Sequence, residues 1–304
     1  MPELAILYEH PLWFAPLFRA LAARGIAFSA IHADGLAFDP ASMTVPAPLV
    51  FNRIAMSSFL RAPEHPIFFA RSLLAHWERH GARILNGTRA LDIDASKANQ
   101  LSLIASLGYC VPATRAVHRR ADLLAASEGL RWPLVVKANI GGSGAGIVRY
   151  DDRARLAQAI TEGGVPDSID RVLLVQEYVP VRGGAITRIE TLGGRYLYAI
   201  DVDGGGAFDL CPADACMVDG KPSITMRRAE PEAHLIEAAE RIVQAAGIDV
   251  GGVEVLIDDR DGTPRFYDIN ALSNFVANPL DVLGWDPHDR LVAWLRGVIR
   301  EARS

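Results

Sequence analysis

The chain has 304 residues, 50% of them hydrophobic and 22% charged, with a formal net charge of −5. That balance is globular, and the length points to two or three compact units. An acidic chain without a long lysine or arginine block has no electrostatic basis for binding nucleic acid or an anionic membrane, so any phosphate site must be a local concentration of positive charge.

Cys110, Cys211 and Cys216 are an odd number without metal-type spacing. They suit free thiols in a reducing compartment, with Cys211 and Cys216 as one conceivable redox pair. The first residues lack the basic region of a signal peptide, and no apolar run approaches the ~20 residues of a spanning helix. The expectation is a cytoplasmic protein, with a homo-oligomer left open.

In chain order, residues 4–9 read as a buried parallel strand, followed by a helix over 12–24 that Gly25 closes. Strands are expected at 28–33, 48–53 and 83–85, with a helix over 66–80 ended by Gly81. Alternating strand and helix implies a small parallel α/β sheet covered on both faces. Ligands bind beyond the carboxyl ends of such strands, which places Glu9, His10, Asn52 and Arg53 at a candidate crevice.

Asp94 or Ser96 can cap a helix over 97–107 that Gly108 terminates. Lys97 then stands in the first turn, against the helix dipole, as expected if it holds an anion together with the local N–H groups. A strand over 113–117 and a helix over 122–127 follow.

Residues 133–147, Pro-Leu-Val-Val-Lys-Ala-Asn-Ile-Gly-Gly-Ser-Gly-Ala-Gly-Ile, combine a short apolar strand, Lys137, and a loop with Gly141, Gly142, Ser143, Gly144 and Gly146. The next run, 147–150, reads as a second strand. Glycine lets backbone N–H groups approach phosphate oxygens, and the lysine supplies a point charge. No Gly-Lys-Ser/Thr follows and no helix opens, so this is neither a P-loop nor a dinucleotide fingerprint. A flexible hairpin loop is the plain alternative.

A helix from Asp151 or Asp152 to about 160 leads to an apolar strand over 171–179 ending in Gln176-Glu177-Tyr178-Val179. Strands at 186–192 and 195–202 make an antiparallel meander. An irregular stretch covers 212–221. An amphipathic helix over 230–246 precedes Gly247, and a final helix spans 289–302.

Between these helices, residues 251–270 form a hairpin around Asp261-Gly262. Strand alternation puts Asp268 and Asn270 on one face. A two-residue turn would set Glu254 opposite Ile269. A three-residue loop, Arg260-Asp261-Gly262, or an equivalent bulge, would set it opposite Asp268, and this second register is the expectation. Two carboxylates and an amide oxygen then converge as hard ligands of the kind Mg²⁺ takes alongside phosphates. Without a cation the carboxylates would repel each other.

Taken in order, Lys97, Lys137 with its glycine loop, Gln176 to Val179, Arg188, Glu254 and Asp268-Ile269-Asn270 resemble the ATP-grasp superfamily. Within it the chain is most similar to the RimK-type carboxylate–amine ligases. The resemblance spans about residues 96–278. It implies an α/β pre-ATP-grasp domain over 1–95, a subdomain with the glycine loop over 96–175, and a C-terminal subdomain over 176–304, the last two clamping ATP.

The same resemblance implies roles. Lys97 and Lys137 would contact the α- and β-phosphates, with Gly141–Gly146 closing over the β- and γ-phosphates. The backbone of Gln176, Glu177, Tyr178 and Val179 would read adenine, and Arg188 would steady the γ-phosphate and an acyl phosphate. Glu254, Asp268 and Asn270 would hold one or two Mg²⁺ ions, or Mn²⁺. The implied reaction joins a small-molecule or peptide carboxylate to an amine and releases ADP. A small-molecule kinase and a non-catalytic ATP-binding protein are the other readings.

Several positions depart from the RimK pattern. Gly183-Gly184-Ala185-Ile186-Thr187-Arg188 lacks the aspartate of Gly-Gly-x-Asp-Ile-Arg. Pro180, Val181 and Arg182 replace the usual acidic ribose contact. Asp268-Ile269-Asn270 stands for Glu-x-Asn, and Asn270-Ala-Leu-Ser-Asn274-Phe for Asn-x-Ser-Pro-Gly. The last change puts glutamate as the added amino acid in question. Asn274, Arg53, Asp209 and Asp214 are candidate substrate contacts.

Overall fold

The computed structural model describes residues 2–142, 144, 146–204 and 224–302. Strand β1 (Leu4–Tyr8) is followed by helix α1 (Pro11–Ala23), β2 (Phe28–His32), β3 (Leu49–Arg53), α2 (Ile67–Arg79) and β4 (Arg83–Leu85). The strands form a parallel sheet in the order β2–β1–β3–β4. β1 and β3 are apolar almost throughout because both are central and covered on two faces. Gly25 and Gly81 end the two helices with φ of 66° and 88°, a conformation that a Cβ disfavours.

A helix that the sequence reading lacks, α3 (Thr88–Asp94), comes next, and α4 (Lys97–Ser106) follows at once. No local residue caps α3. The Glu78 carboxylate on α2 does so instead, accepting from Thr88 N at 2.9 Å and Thr88 Oγ1 at 2.6 Å. Of the two candidate caps for α4, Ser96 is the one used. Its backbone is extended and its Oγ accepts from Asn99 N. Asp94 closes α3.

The second sheet is antiparallel in the order β5–β8–β6–β7, built from β5 (Thr114–Val117), β6 (Leu134–Ala138), β7 (Ile147–Tyr150) and β8 (Leu173–Glu177). Helices α5 (Leu123–Ala126) and α6 (Arg153–Glu162) accompany it, the latter capped by Asp152. Leu123, Val136, Leu156 and Val175 form its core.

The third sheet comprises, among the described residues, β9 (Ala185–Leu192), β10 (Arg195–Asp203), β11 (Thr225–Ala229), β12 (Val250–Ile257) and β13 (Pro264–Asn270). It is antiparallel in the order β11–β10–β9–β12–β13. Helix α7 (Ala233–Ala246) lies on it through Leu235, Ala238, Ala239, Ile242 and Val243. β11 was not expected, because an edge strand reading Thr-Met-Arg-Arg-Ala carries no apolar alternation.

A short helix α8 (Pro279–Val282), also unexpected, precedes α9 (Pro287–Glu301). Leu291, Leu295 and Val298 on α9 pack with Leu17 and Leu21 on α1. The end of the chain thereby covers the N-terminal sheet. No helix among the described residues is long and apolar enough to cross a membrane.

Candidate active site

A cavity of about 500 Å³ opens where the three sheets meet. Its β12–β13 wall follows from the register of that hairpin. Asp258 N donates to Thr263 O and Gly262 N to Asp258 O, which closes a four-residue loop rather than the expected three-residue one. Continued unchanged, that register would set Glu254 opposite Tyr267. A bulge between Glu254 and Val255 shifts it, so Glu254 faces Asp268 and Gly252 faces Asn270. The expected convergence of carboxylates is therefore present, by way of the bulge.

On its other side Glu254 faces Arg188 of β9. Arg188 Nη1 lies 3.4 Å from Glu254 Oε1, and its Nε donates to Glu190 Oε1 at 2.6 Å. Asn270 Nδ2 donates to Glu254 Oε1 at 3.3 Å, and Lys97 Nζ reaches across from α4 to Asp268 Oδ1. Burial and the neighbouring Asp268 push the Glu254 carboxyl above its usual range, with Arg188 opposing. Among the described residues no three His, Cys, Asp or Glu side chains cluster as a ready metal site. The donor set is two carboxylates and an amide, all hard oxygens. It suits Mg²⁺, because a divalent ion would relieve the repulsion between the acids.

The two lysines differ. Lys137 on β6 is 5% exposed, lines the cavity, and has no ion-pair partner among the described residues. Burial, reinforced by Lys97, lowers it to about 7. Burial acts in the same direction on Lys97, but Asp268 outweighs it and raises that ammonium above its ordinary value.

The anion site expected at the start of α4 is absent. Lys97 N donates to Asn139 O, Ala98 N to Asn139 Oδ1, and Asn99 N to Ser96 Oγ. The first-turn amides are thus used within the protein, and the cation against the dipole is offset by Asp268.

The glycine loop joins β6 to β7 as a hairpin, with Lys137 paired to Ile147. Gly141, Gly142 and Gly144 line the cavity. Gly144 has φ of 70°, and a Cβ on Gly142 would lie 2.6 Å from the Ser57 Cβ. The loop is therefore seated on the 3₁₀ turn Met56–Leu60 of the N-terminal region. Gly146 stands at its base, its carbonyl accepting from Ala138 N. Ser143, Asp209 and Asp214 lie outside the described residues.

Gln176, Glu177, Tyr178 and Val179 all line the cavity. Backbone bonds from Glu177 N to Ala113 O and Tyr178 N to Pro133 O hold this connection, and Gln176 Nε2 donates to Thr114 Oγ1 at 2.7 Å.

The crevice residues serve mainly to build the fold. His10 Nδ1 accepts from Trp13 N at the start of α1, Glu9 pairs with Arg61 at 2.7 Å, and Asn52 Nδ2 donates to Asn86 O. Arg53 does not line the cavity. It stands behind it, donating from Nη2 to Ser273 O and to Asn274 Oδ1 at 3.2 Å, and Asn274 does line it.

Several residues of the site escaped the sequence reading as site residues. Asp94 lines the cavity and accepts from Ala271 N at 3.2 Å, and burial raises it to about 7. Gln100 grips Ile269 through both N–H and C=O at 3.0 Å. Glu190 had a legible signal, since it is two residues from Arg188 and shares its face. Asp94 and Gln100 had none, as their partners are more than 160 residues away.

No family model matches the chain. A probable α-L-glutamate ligase of Enterobacter sp. (strain 638) is 26% identical over 234 residues, 75% of this chain and 72% of the relative. The structure of ATP-grasp ligase PsnB complexed with minimal precursor, Mg and ADP superposes with a TM-score of 0.68 at 16% identity, covering 98% of this chain and 97% of that one. A RimK domain protein ATP-grasp from Sphaerobacter thermophilus DSM 20745 gives 0.68 at 18% identity, covering 96% and 98%. The chain has the ATP-grasp fold, and its sequence resembles the RimK-type glutamate ligases.

Proposed function

We propose that the protein is an ATP- and Mg²⁺-dependent carboxylate–amine ligase acting on an amino acid, peptide or protein tail. The observation that carries this reading is the convergence of Arg188, Glu254, Asp268 and Lys97 opposite Lys137 in one cavity. Residues 96–175 and 176–304 would close on ATP from either side, with the connection Gln176–Val179 along the adenine edge. Lys137, desolvated and without an ion-pair partner among the described residues, gains a counter-charge when a phosphate enters. Lys97 exchanges Asp268 for phosphate oxygens. Mg²⁺, with Mn²⁺ as a substitute, would be held by Glu254, Asp268 and Asn270 and would neutralise charge on the transferring phosphoryl group.

The carboxylate oxygen of one substrate attacks the γ-phosphorus, the bond to the bridging oxygen breaks, and ADP leaves. The amine nitrogen then attacks the acyl carbon, phosphate departs, and the amine loses its proton. Arg188 would hold the anionic oxygens of both steps. The glycine loop, seated on Ser57, excludes water from the hydrolysable acyl phosphate. The relatives named as ligases and the PsnB complex with Mg and ADP support this assignment.

Mass spectrometry of the protein with ATP, Mg²⁺ and pooled amino acids and peptides tests it. The expected product equals two substrates minus water, formed with ADP. AMP, a phosphorylated end product or no turnover would reject it.

A further inference from the structure

The charges lining the cavity are not evenly spread. Its described lining cations are Lys97 and Arg188, both paired to the carboxylate wall, and Lys137 on the β6 wall opposite. The end against the N-terminal sheet is walled instead by Trp13, Ala55, Met56, Leu272 and Phe275. Side-chain contacts hold these together. Arg61 lies over the Trp13 ring at 4.6 Å and donates to Ser57, the neighbour of Met56, at 3.1 Å. Arg53 lies 5.4 Å from the Phe14 ring, next to Trp13, and donates to Asn274, next to Phe275.

Neither arginine lines the cavity. Arg61 is neutralised by Glu9 at 2.7 Å, and Arg53 is 2% exposed and outside the lining. Asp94 also lines the cavity, where its carboxylate accepts from Ala271 N and lies within electrostatic reach of Lys97 and Arg188.

We propose that the amine substrate carries an apolar side chain, aliphatic or aromatic, and not the acidic side chain of glutamate. This rests on the ligase reading and narrows it. Among the described residues that wall this end none is a cation, so a second carboxylate here would lose its hydration without gaining a partner, whereas an apolar group suits Trp13, Met56 and Phe275.

Calorimetric titration of the full chain, saturated with Mg²⁺ and a non-hydrolysable ATP analogue, tests it with L-phenylalanine, L-leucine and L-glutamate as probes. An apolar probe is expected to bind at least ~10-fold more tightly than glutamate. Trp13→Ala should weaken that probe about 10-fold while nucleotide affinity is unchanged. Leu272→Arg, at a half-buried position, should raise the affinity for glutamate. Glutamate binding as tightly as the apolar probes overturns the inference, as does the absence of amino-acid binding to a protein that binds nucleotide. Failure to bind nucleotide at all overturns the ligase reading itself, and this inference with it.

Discussion

The two walls of the cavity hold buried charge in opposite states. On the β12–β13 wall, Arg188, Glu190, Glu254, Asp268 and Lys97 are joined by ion pairs within the protein. On the β6 wall, Lys137 is as deeply placed and has no such partner among the described residues. Burial penalises the charge on both lysines, yet Lys97 rises and Lys137 falls, because only Lys97 has a carboxylate in contact. The difference teaches that depth does not set the protonation state; the partner does. One wall has its charges paired within the protein, and the other carries a buried lysine without such a partner among the described residues.

Removing either wall should have the largest effect. Lys137→Ala and Asp268→Ala should each lower ADP release by at least ~100-fold, the scale for losing one charge-stabilising group at a reaction centre. Near-normal turnover in a coupled ADP assay would remove that residue from its assigned role. Both variants should keep their circular dichroism spectra.

Asn86 breaks the carboxylate wall without touching the lysine. It is 1% exposed with φ of 52°, its Nδ2 donates to Val250 O and Ala271 O, and its Oδ1 accepts from Asp249 N and Val250 N. It thereby ties the end of β4 to the start of β12 and the exit of β13. Asn86→Ala should cost about 2–4 kcal/mol by leaving buried backbone groups unsatisfied. Urea denaturation checks this, and a loss under about 0.5 kcal/mol would deny Asn86 that role.

A pH experiment sharpens the comparison. With Lys137 near 7 in the free protein and raised by a bound phosphate, nucleotide binding at pH 8 should take up a proton. Affinity should fall by up to about 10-fold per unit as pH rises above 7. Calorimetry in buffers of different ionisation enthalpy should show the uptake, and Lys137→Met should abolish it. For stability the sign is opposite. The unfolded lysine holds its proton to higher pH, so this residue's burden on the fold eases as pH rises from about 7 toward 10.5.

The smallest effect is expected from Gly142→Ala. The added methyl would press on Ser57 at 2.6 Å and unseat the glycine loop from the N-terminal region. A several-fold drop in ADP release with unchanged thermal stability is the expected outcome, and unchanged turnover would show that this seat is not needed.

Much of this was legible in advance. The parallel sheet was readable because its central strands carry apolar runs, and the helix ends because glycine marks them. Glu254, Asp268 and Asn270 were readable because strand alternation assigns them to faces, Lys137 because it ends an apolar strand before a glycine loop, and Arg188 through the resemblance to the ATP-grasp superfamily. The helix α3 was not, because its cap comes from Glu78 on another helix. Nor was the occupation of the α4 amides by Asn139, a residue 42 positions from Lys97 that follows β6, an inner strand of the second sheet.

Local chemistry alone thus set most of the strands and helices, their glycine stops and the order of the charged motifs, since alternation, helical period and caps act over a few residues. Tertiary structure decided the register and the partners. The loop Asp259–Gly262 would have turned Glu254 toward Tyr267, and the bulge that restores Asp268 lies within a ladder packed on both β9 and α7. The pairing of Lys97 with Asp268 spans 171 positions. No local pattern encodes such a contact, because it exists only once three sheets have closed around the same cavity.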